Sequence, residues 1–257
     1  MSPDDAAAAR RIAAAAGELL LEIRCGLDSG VDPDEVRSEG DRRSHELITS
    51  LLAELRPGDA VVSEEASDSS SVPDARRVWI VDPLDGTREF GEPARSDFAV
   101  HVALVEGGTL AAGAVALPGR PGSPTYCTDA PPLAPPANGG PPRVAVSRTR
   151  PPAEAGVLEV ALDAELVPMG SAGVKIVAVL EGLVDVYVHS GGQYAWDSAA
   201  PVALAQAAGL HTSRIDGSAL DYGAGTTWLP DLVVCRPELR DRVLAALGAT
   251  LDGGPCT

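Results

Sequence analysis

Residues 78–90, VWIVDPLDGTREF, constrain the fold more than any other part of this 257-residue chain. Val78 to Val81 form a short unbroken apolar run, β-branched and aromatic, the composition of a buried strand. Asp82 closes the run. Pro83 lacks a backbone N–H and fixes its own φ, so the strand is predicted to end and turn there. The turn sets two carboxylates, Asp82 and Asp85, on either side of the Leu84 carbonyl. Oxygen donors gathered in one tight turn suit a hard cation such as Mg²⁺ better than Zn²⁺. Gly86 lets the backbone come close to a ligand, and residues 87–90 begin a helix whose first N–H groups can face an anion. Asp-Pro, Asp-Gly and Gly-Thr are also ordinary turn pairs. The information lies in the whole string behind a buried strand.

Composition narrows the class. With 45% apolar residues the chain buries a sizeable core, as one or two domains. Its net charge of −17 repels nucleic-acid backbones and anionic lipid surfaces, so neither a nucleic-acid polymer nor a membrane is expected as a partner. The same field repels a phosphorylated substrate unless cations neutralise the site. No apolar run reaches the length of a membrane span. Cys25, Cys127, Cys235 and Cys256 show no CxxC spacing and read as reduced thiols, which points to the cytoplasm. The four histidines are scattered and give no support for a zinc site. Arg10-Arg11 is the pair of a twin-arginine signal, but acids precede it and Glu18 and Glu22 interrupt the apolar stretch after it, so an amphipathic helix is preferred.

Read in order, residues 4–24 have Ile12, Ala16, Leu19, Leu20 and Ile23 at helical spacing, with an end near Gly26. A loop is expected over residues 28–40, and Asp41 then opens a second helix to Leu55. Residues 60–63 read as a strand, followed by Glu64-Glu65 and a Ser-rich, acidic loop at 67–74. Residues 98–105 and 109–117 read as a β-hairpin turning at Gly107-Gly108, with a further strand near 125–128. The Pro/Gly-rich segment 131–142 is the predicted boundary between an N-terminal domain, 1–142, and a C-terminal domain, 143–257. Beyond it come a strand at 144–146 followed by Ser147-Arg148, then Gly170-Ser171-Ala172-Gly173 opening a helix with Lys175. A strand at 184–188, a flexible Gly191-Gly192 loop and Trp196-Asp197 at a helix start come next, then a strand at 232–234 and a closing helix from Pro237.

The full DPLDGT string, the Glu64-Glu65 pair before it and Trp196-Asp197 about 110 residues after it resemble the signatures of the inositol monophosphatase superfamily, Mg²⁺-dependent, lithium-sensitive phosphomonoesterases. The Arg88-Glu89-Phe90 ending is similar to the 3′(2′),5′-bisphosphate nucleotidase branch, which acts on 3′-phosphoadenosine 5′-phosphate (PAP). The resemblance runs from residue 41 to 201. It implies an α+β fold, the layered α/β/α/β/α sandwich shared with fructose-1,6-bisphosphatase, with the site between the halves. It also implies metal ligation of two to three Mg²⁺ ions by Glu64, Asp82, the Leu84 carbonyl, Asp85 and Asp197. Catalytic roles fall to Thr87 and Asp41, which orient the attacking water. An Asp at position 41 also suits a helix cap, and Val36-Arg37-Ser38-Glu39-Gly40-Asp41 lacks the Thr and Lys of the superfamily pattern. Gly86, Thr87, Ser147, Arg148, Ser171 and Lys175 become the substrate-phosphate residues.

The implied reaction is hydrolysis of the 3′-phosphate of PAP to AMP and phosphate, with a small phosphorylated metabolite as partner and a monomer or homodimer as the assembly. Inositol monophosphatase or fructose-1,6-bisphosphatase activity is the alternative of the same class. A non-catalytic protein that binds divalent cations or phosphonucleotides is the alternative of a different class. Intact Thr87 and the complete set of acids weigh against the last.

Overall fold

A computed structural model describes residues 3–66, 69–132, 139–223 and 225–251. The first half comprises α1 (Pro3–Asp28), α2 (Pro33–Leu55), β1 (Ala60–Ser63), β2 (Ser71–Val72), β3 (Arg77–Asp85), α3 (Thr87–Phe90), β4 (Ala99–Glu106), β5 (Thr109–Ala116) and β6 (Thr125–Cys127). The second comprises β7 (Arg143–Ser147), α4 (Ala153–Leu162), β8 (Glu165–Met169), α5 (Ala172–Leu180), β9 (Val186–Tyr194), α6 (Ala195–Ala207), β10 (His211–Ser213), β11 (Gly225–Thr226), β12 (Trp228–Cys235) and α7 (Arg240–Leu251).

Strand alternation builds the layers. In β4, Val100, Val102 and Leu104 face one core with α1 and α2, while Ala99, Ala103 and Val105 face another with α5 and α6. In β12, Leu232 and Val234 face that same middle core, and Val233 and Cys235 face a third with α4 and α7. The order across the molecule is therefore α1/α2, sheet, α5/α6, sheet, α4/α7, the expected α+β layered sandwich. The first sheet has strand order β1-β3-β4-β5-β6 and the second β10-β12-β9-β7-β8, with β2 and β11 forming a separate ribbon. Sandwiching explains why α5, AGVKIVAVL, is apolar on every side: a helix between two sheets has no wet face. Its only charged residue, Lys175, is buried with the rest.

The hairpin of β4 and β5 and the strand β6 beside it form as the alternation predicts. Four local expectations are corrected. First, α2 begins at Pro33, not at Asp41. Asp32 is the cap, accepting from the Asp34 N–H at 2.7 Å, and Pro33 supplies the favoured first-turn φ. Asp41 lies inside the helix and caps nothing. Second, β3 does not stop at Pro83 but continues to Asp85. Opposite β4, Asp82 pairs with His101 and Asp85 with Ala99, so one extra residue is absorbed in a bulge, where a missing N–H is tolerated. The Pro83 carbonyl instead accepts from Ser44 Oγ of α2 at 2.7 Å. Third, Gly191 and Gly192 belong to β9, at the register shift opposite Leu229 and Asp231. Fourth, residues 71 and 72 of the Ser-rich loop form β2 against β11; residues 67 and 68 lie outside the described residues. So do residues 133–138 of the predicted domain boundary. Helix α4 and strand β8 add to the elements expected from the sequence.

Asp5 ties the first layer together. Its carboxylate accepts from Arg56 at 2.8 Å and Arg77 at 2.9 Å, joining the start of α1 to the end of α2 and the start of β3. Burial alone would raise this carboxyl, but hydrogen bonds from Arg77 and Arg56 hold it below the usual carboxylate range. Asp5→Ala leaves both guanidinium groups short of a partner and should cost about 2 kcal/mol, discounted because Arg77 keeps some solvent. The expected readout is a lower urea midpoint at unchanged m; an unshifted midpoint would remove Asp5 from the structural core.

Candidate active site

The bulge in β3 and the first turn of α6 converge on one point. Asp82, Asp85 and Asp197 each place a carboxylate oxygen within 4.8 Å of the others. Asp82 is 1% exposed and receives the Leu84 N–H at 3.0 Å, so the turn holds its own acid. Asp85 Oδ2 accepts from Ser171 Oγ at 2.5 Å and from the Gly173 N–H at 2.7 Å, both at the start of α5. Asp197 Oδ2 accepts from the Tyr194 N–H at 2.6 Å, which closes the α6 N-terminus. So Asp197 is both a helix cap and a member of the cluster.

Electrostatics make this cluster a cation site in waiting. Burial, then the charges of Glu64, Asp85 and Asp197, raise the Asp82 carboxyl well above its usual range. Burial and Asp85 push Asp197 up to about 7. The three converging carboxylates offer oxygen donors only, with no thiol in the cluster among the described residues. That chemistry fits a hard divalent cation. Glu64 stands apart from the three. It lies exposed at the rim, yet burial and the charges of Asp197, Asp85 and Asp41 push it up to about 7. Because Glu64 keeps solvent, the repulsion from its acidic neighbours is the firmer of these causes.

Gly86 has φ 89°, and a Cβ there would meet the Asp97 carbonyl at 3.0 Å, so only glycine fits the turn that aims Thr87. The helix after it, α3, is a single turn. Thr87 Oγ1 lies 3.0 Å from the Leu84 carbonyl and 3.4 Å from Asp41 Oδ1. Asp41 reaches it from within α2, and burial followed by the Glu65 charge pushes its carboxyl up to about 7. Thr87 thus links the acid turn to α2.

A cleft of about 810 Å³ opens over this group, lined by Asp85, Gly86, Thr87, Ser147, Arg148, Ser171, Lys175 and Asp197. Their roles within it differ. Lys175 is 5% exposed, donates from Nζ to the Ser171 carbonyl at 2.7 Å and lies over the Tyr187 ring. Burial lowers its pKa against the pull of Asp85, Glu89 and Asp197. Arg148 is tied down by Glu89 Oε1 at 3.0 Å and by Asp97, an acid that also accepts from the Gly170 N–H. Ser147 Oγ accepts from the Arg150 N–H at 3.2 Å. Ser171 gives its hydroxyl proton to Asp85.

Three further residues belong to the site beyond those the sequence singles out. Glu89 and Asp97 hold Arg148, although in the sequence Glu89 is only part of a longer string and Asp97 only the residue before a strand. His101 sits at 3.3 Å from Asp85 Oδ2 and is completely buried, which lowers its pKa. A histidine in core phase within FAVHVALV is the available signal.

The chain is similar to known proteins along most of its length. The sequence profile of the inositol monophosphatase family matches residues 3–250. The chain is 47% identical to a 3′-phosphoadenosine 5′-phosphate phosphatase of Mycobacterium leprae (strain TN), over 95% of this chain and 93% of that one. It is 30% identical to the 3′(2′),5′-bisphosphate nucleotidase CysQ of Escherichia coli (strain K12), over 82% and 91%. The fold superposes on inositol monophosphatase II from Staphylococcus aureus MSSA476 with a TM-score of 0.78 at 20% identity, covering 96% of both chains.

The raised carboxyls have a measurable consequence. Asp41, Glu64 and Asp197 hold protons in the folded chain up to about pH 7, whereas their ordinary values are 3.8, 4.5 and 3.8. Between these limits the folded state binds more protons than the unfolded one, so stability is present at low pH and lost as pH rises through about 7. In EDTA the urea midpoint should fall from about pH 5 to about pH 8, and Mg²⁺ should remove most of that slope. A flat profile in EDTA would contradict the mutual repulsion of these acids.

Proposed function

The chain belongs to the inositol monophosphatase family, and from that premise we propose that it hydrolyses the 3′-phosphate of PAP, releasing AMP and inorganic phosphate. The observation that carries the reading is the cluster of buried Asp82 and Asp85 with half-buried Asp197, beside a cleft that also contains Lys175. The names of the relatives at 47% and 30% identity support PAP as the substrate. We assign two to three Mg²⁺ ions to Glu64, Asp82, the Leu84 carbonyl, Asp85 and Asp197; when bound they neutralise the phosphoryl oxygens and stabilise the attacking and leaving oxygens.

The chain's own groups then have separate tasks. Thr87 Oγ1, 3.4 Å from Asp41 Oδ1, accepts a hydrogen bond from the attacking water; as the water attacks, its proton passes to Thr87 Oγ1 while the Thr87 hydroxyl proton passes to the Asp41 carboxylate. The water oxygen forms a bond to phosphorus as the bond to the 3′-oxygen breaks, and that oxygen takes a proton from solvent water and leaves as the ribose hydroxyl. The amides of Gly86 and Thr87 receive the transferred phosphoryl group. Lys175 supplies positive charge to the second phosphate, in a chain whose net charge of −17 offers no general basic field. Arg148, held between Glu89 and Asp97, shapes the cleft wall more than it binds an anion. We place the site between the halves 1–142 and 143–257 and the protein in the cytoplasm, as a monomer or homodimer.

Phosphate release from PAP, inositol 1-phosphate and fructose 1,6-bisphosphate, with Mg²⁺ or EDTA, tests the proposal. PAP should be preferred, EDTA should abolish turnover and Li⁺ should inhibit; full turnover in EDTA ends the reading. Asp197→Asn should lower kcat by roughly 10²-fold or more if this acid holds a catalytic ion.

Lys175→Met separates the nucleotidase from its relatives. It should raise KM for PAP about tenfold, one phosphate contact of ~1.4 kcal/mol, and spare inositol 1-phosphate, which has no second phosphate. Equal loss on both substrates would assign Lys175 to the reacting phosphate or to the fold.

A further inference from the structure

The proposed reaction makes no use of His101. Alternation along β4 sets it in phase with Ala99, Ala103 and Val105, which face the central helices. Its exposure is 0%. A buried imidazole needs a partner for each nitrogen, and this one has a single partner. Nδ1 lies 3.0 Å from the Trp196 carbonyl, which only accepts, so Nδ1 carries the proton and donates. Nε2 has no hydrogen-bond partner among the described residues, and lies 3.3 Å from Asp85 Oδ2. The backbone leaves room for the ring: a Cβ on Gly173 would sit 2.0 Å from Nε2.

Both ends of the ring meet the acid cluster. Trp196 stands in the first turn of α6, one residue before Asp197, so the Nδ1–H tethers the turn that carries this acid. The tether is anchored on β4 directly opposite Asp82, its partner across the strands. At the other end the ring backs Asp85 Oδ2, the oxygen already taken by Ser171 and Gly173. Three like charges drawn from two elements would relax apart if α6 could shift, and the Nδ1–H bond to Trp196 ties the start of α6 to the strand opposite Asp82.

We propose that His101 is a positioning residue that fixes Asp197 relative to Asp82 and Asp85, so that a divalent cation meets the three carboxylates already assembled. The proposal rests on the cation-binding reading of the site. It assigns His101 no contact with substrate or with the reacting atoms.

Mn²⁺ binding to the substrate-free protein, followed by electron paramagnetic resonance, tests it in wild type, His101→Asn and His101→Leu. Asn and Leu have nearly the same shape. Asn places Nδ2 where Nδ1 was and can donate to the Trp196 carbonyl; Leu cannot. The Leu variant should bind Mn²⁺ about tenfold more weakly, and the Asn variant should stay within about threefold of wild type. Unchanged affinity in the Leu variant, even with a lowered urea midpoint, overturns the proposal, as does an equal loss in both variants.

A wild-type measurement covers the case in which the Leu variant does not fold. A slowly exchanging imidazole Nδ1–H proton, correlated with its ring ¹⁵N, should be present without metal; its absence overturns the tether. Failure of the wild type to bind Mn²⁺ at all would instead take down the cation-binding reading itself, so the two failures are distinguishable.

Discussion

Carboxylates gathered away from water repel one another, and much of the interior of this protein is arranged to withstand that repulsion. Each member of the cluster is held by a donor from a different place: the Leu84 amide for Asp82, Ser171 and Gly173 for Asp85, the Tyr194 amide for Asp197. These donors come from the bulge of β3 and from the starts of α5 and α6. The central helix layer therefore does two jobs. It fills the space between the sheets, and it delivers amide and hydroxyl donors to one point. The donors orient the acids without cancelling their charge, which leaves the net attraction for a cation in place.

Much of this was legible in the sequence because chemistry and backbone coincide there. The DPLDGT string offers two acids, a carbonyl and a hydroxyl within one turn; the structure gathers the two acids into one cluster and sets Thr87 Oγ1 3.0 Å from the Leu84 carbonyl. Hydrophobic alternation fixed the hairpin of β4 and β5 for the same reason: its contacts are near in sequence. The failures share an opposite cause. Asp41 resembled a helix start because an Asp before an apolar run is a common cap, but Asp32-Pro33 outcompetes it with both a side-chain acceptor and a preset φ. Pro83 and Gly191-Gly192 resembled breaks, and the sheet absorbed both as bulges against neighbouring strands, a pairing that turn chemistry alone does not show. The engagement of Arg148 by Glu89 and Asp97 was likewise not legible, because both acids lie far from it in the chain.

The arginine network also bears on how an acidic protein handles anions. Arg148 joins the turn after β3 to the end of β7, linking the two sheets at the cleft wall. A guanidinium held by two acids carries little free positive charge to an incoming phosphate. Lys175 differs: it is buried, bonded to a neutral carbonyl, and faces the acids only through space. Selectivity for an anionic substrate in such a cleft depends on a few placed cations, which makes binding strongly dependent on their geometry.

The central helices α5 and α6 come late in the chain, yet they cover the inner face of the first sheet. Val78, Ile80, Ala103, Val105, Val115 and Leu117 share one core with residues 174–205. A ribosome that has released only the first sheet exposes this apolar surface, and α1 and α2 can shield only the other side. The nascent chain therefore passes through a stage with a half-covered sheet, prone to association with other chains, until α6 emerges. Holdase chaperones that bind exposed apolar strands would meet it at that stage, so the yield of folded protein should be sensitive to the pace of translation across the second half.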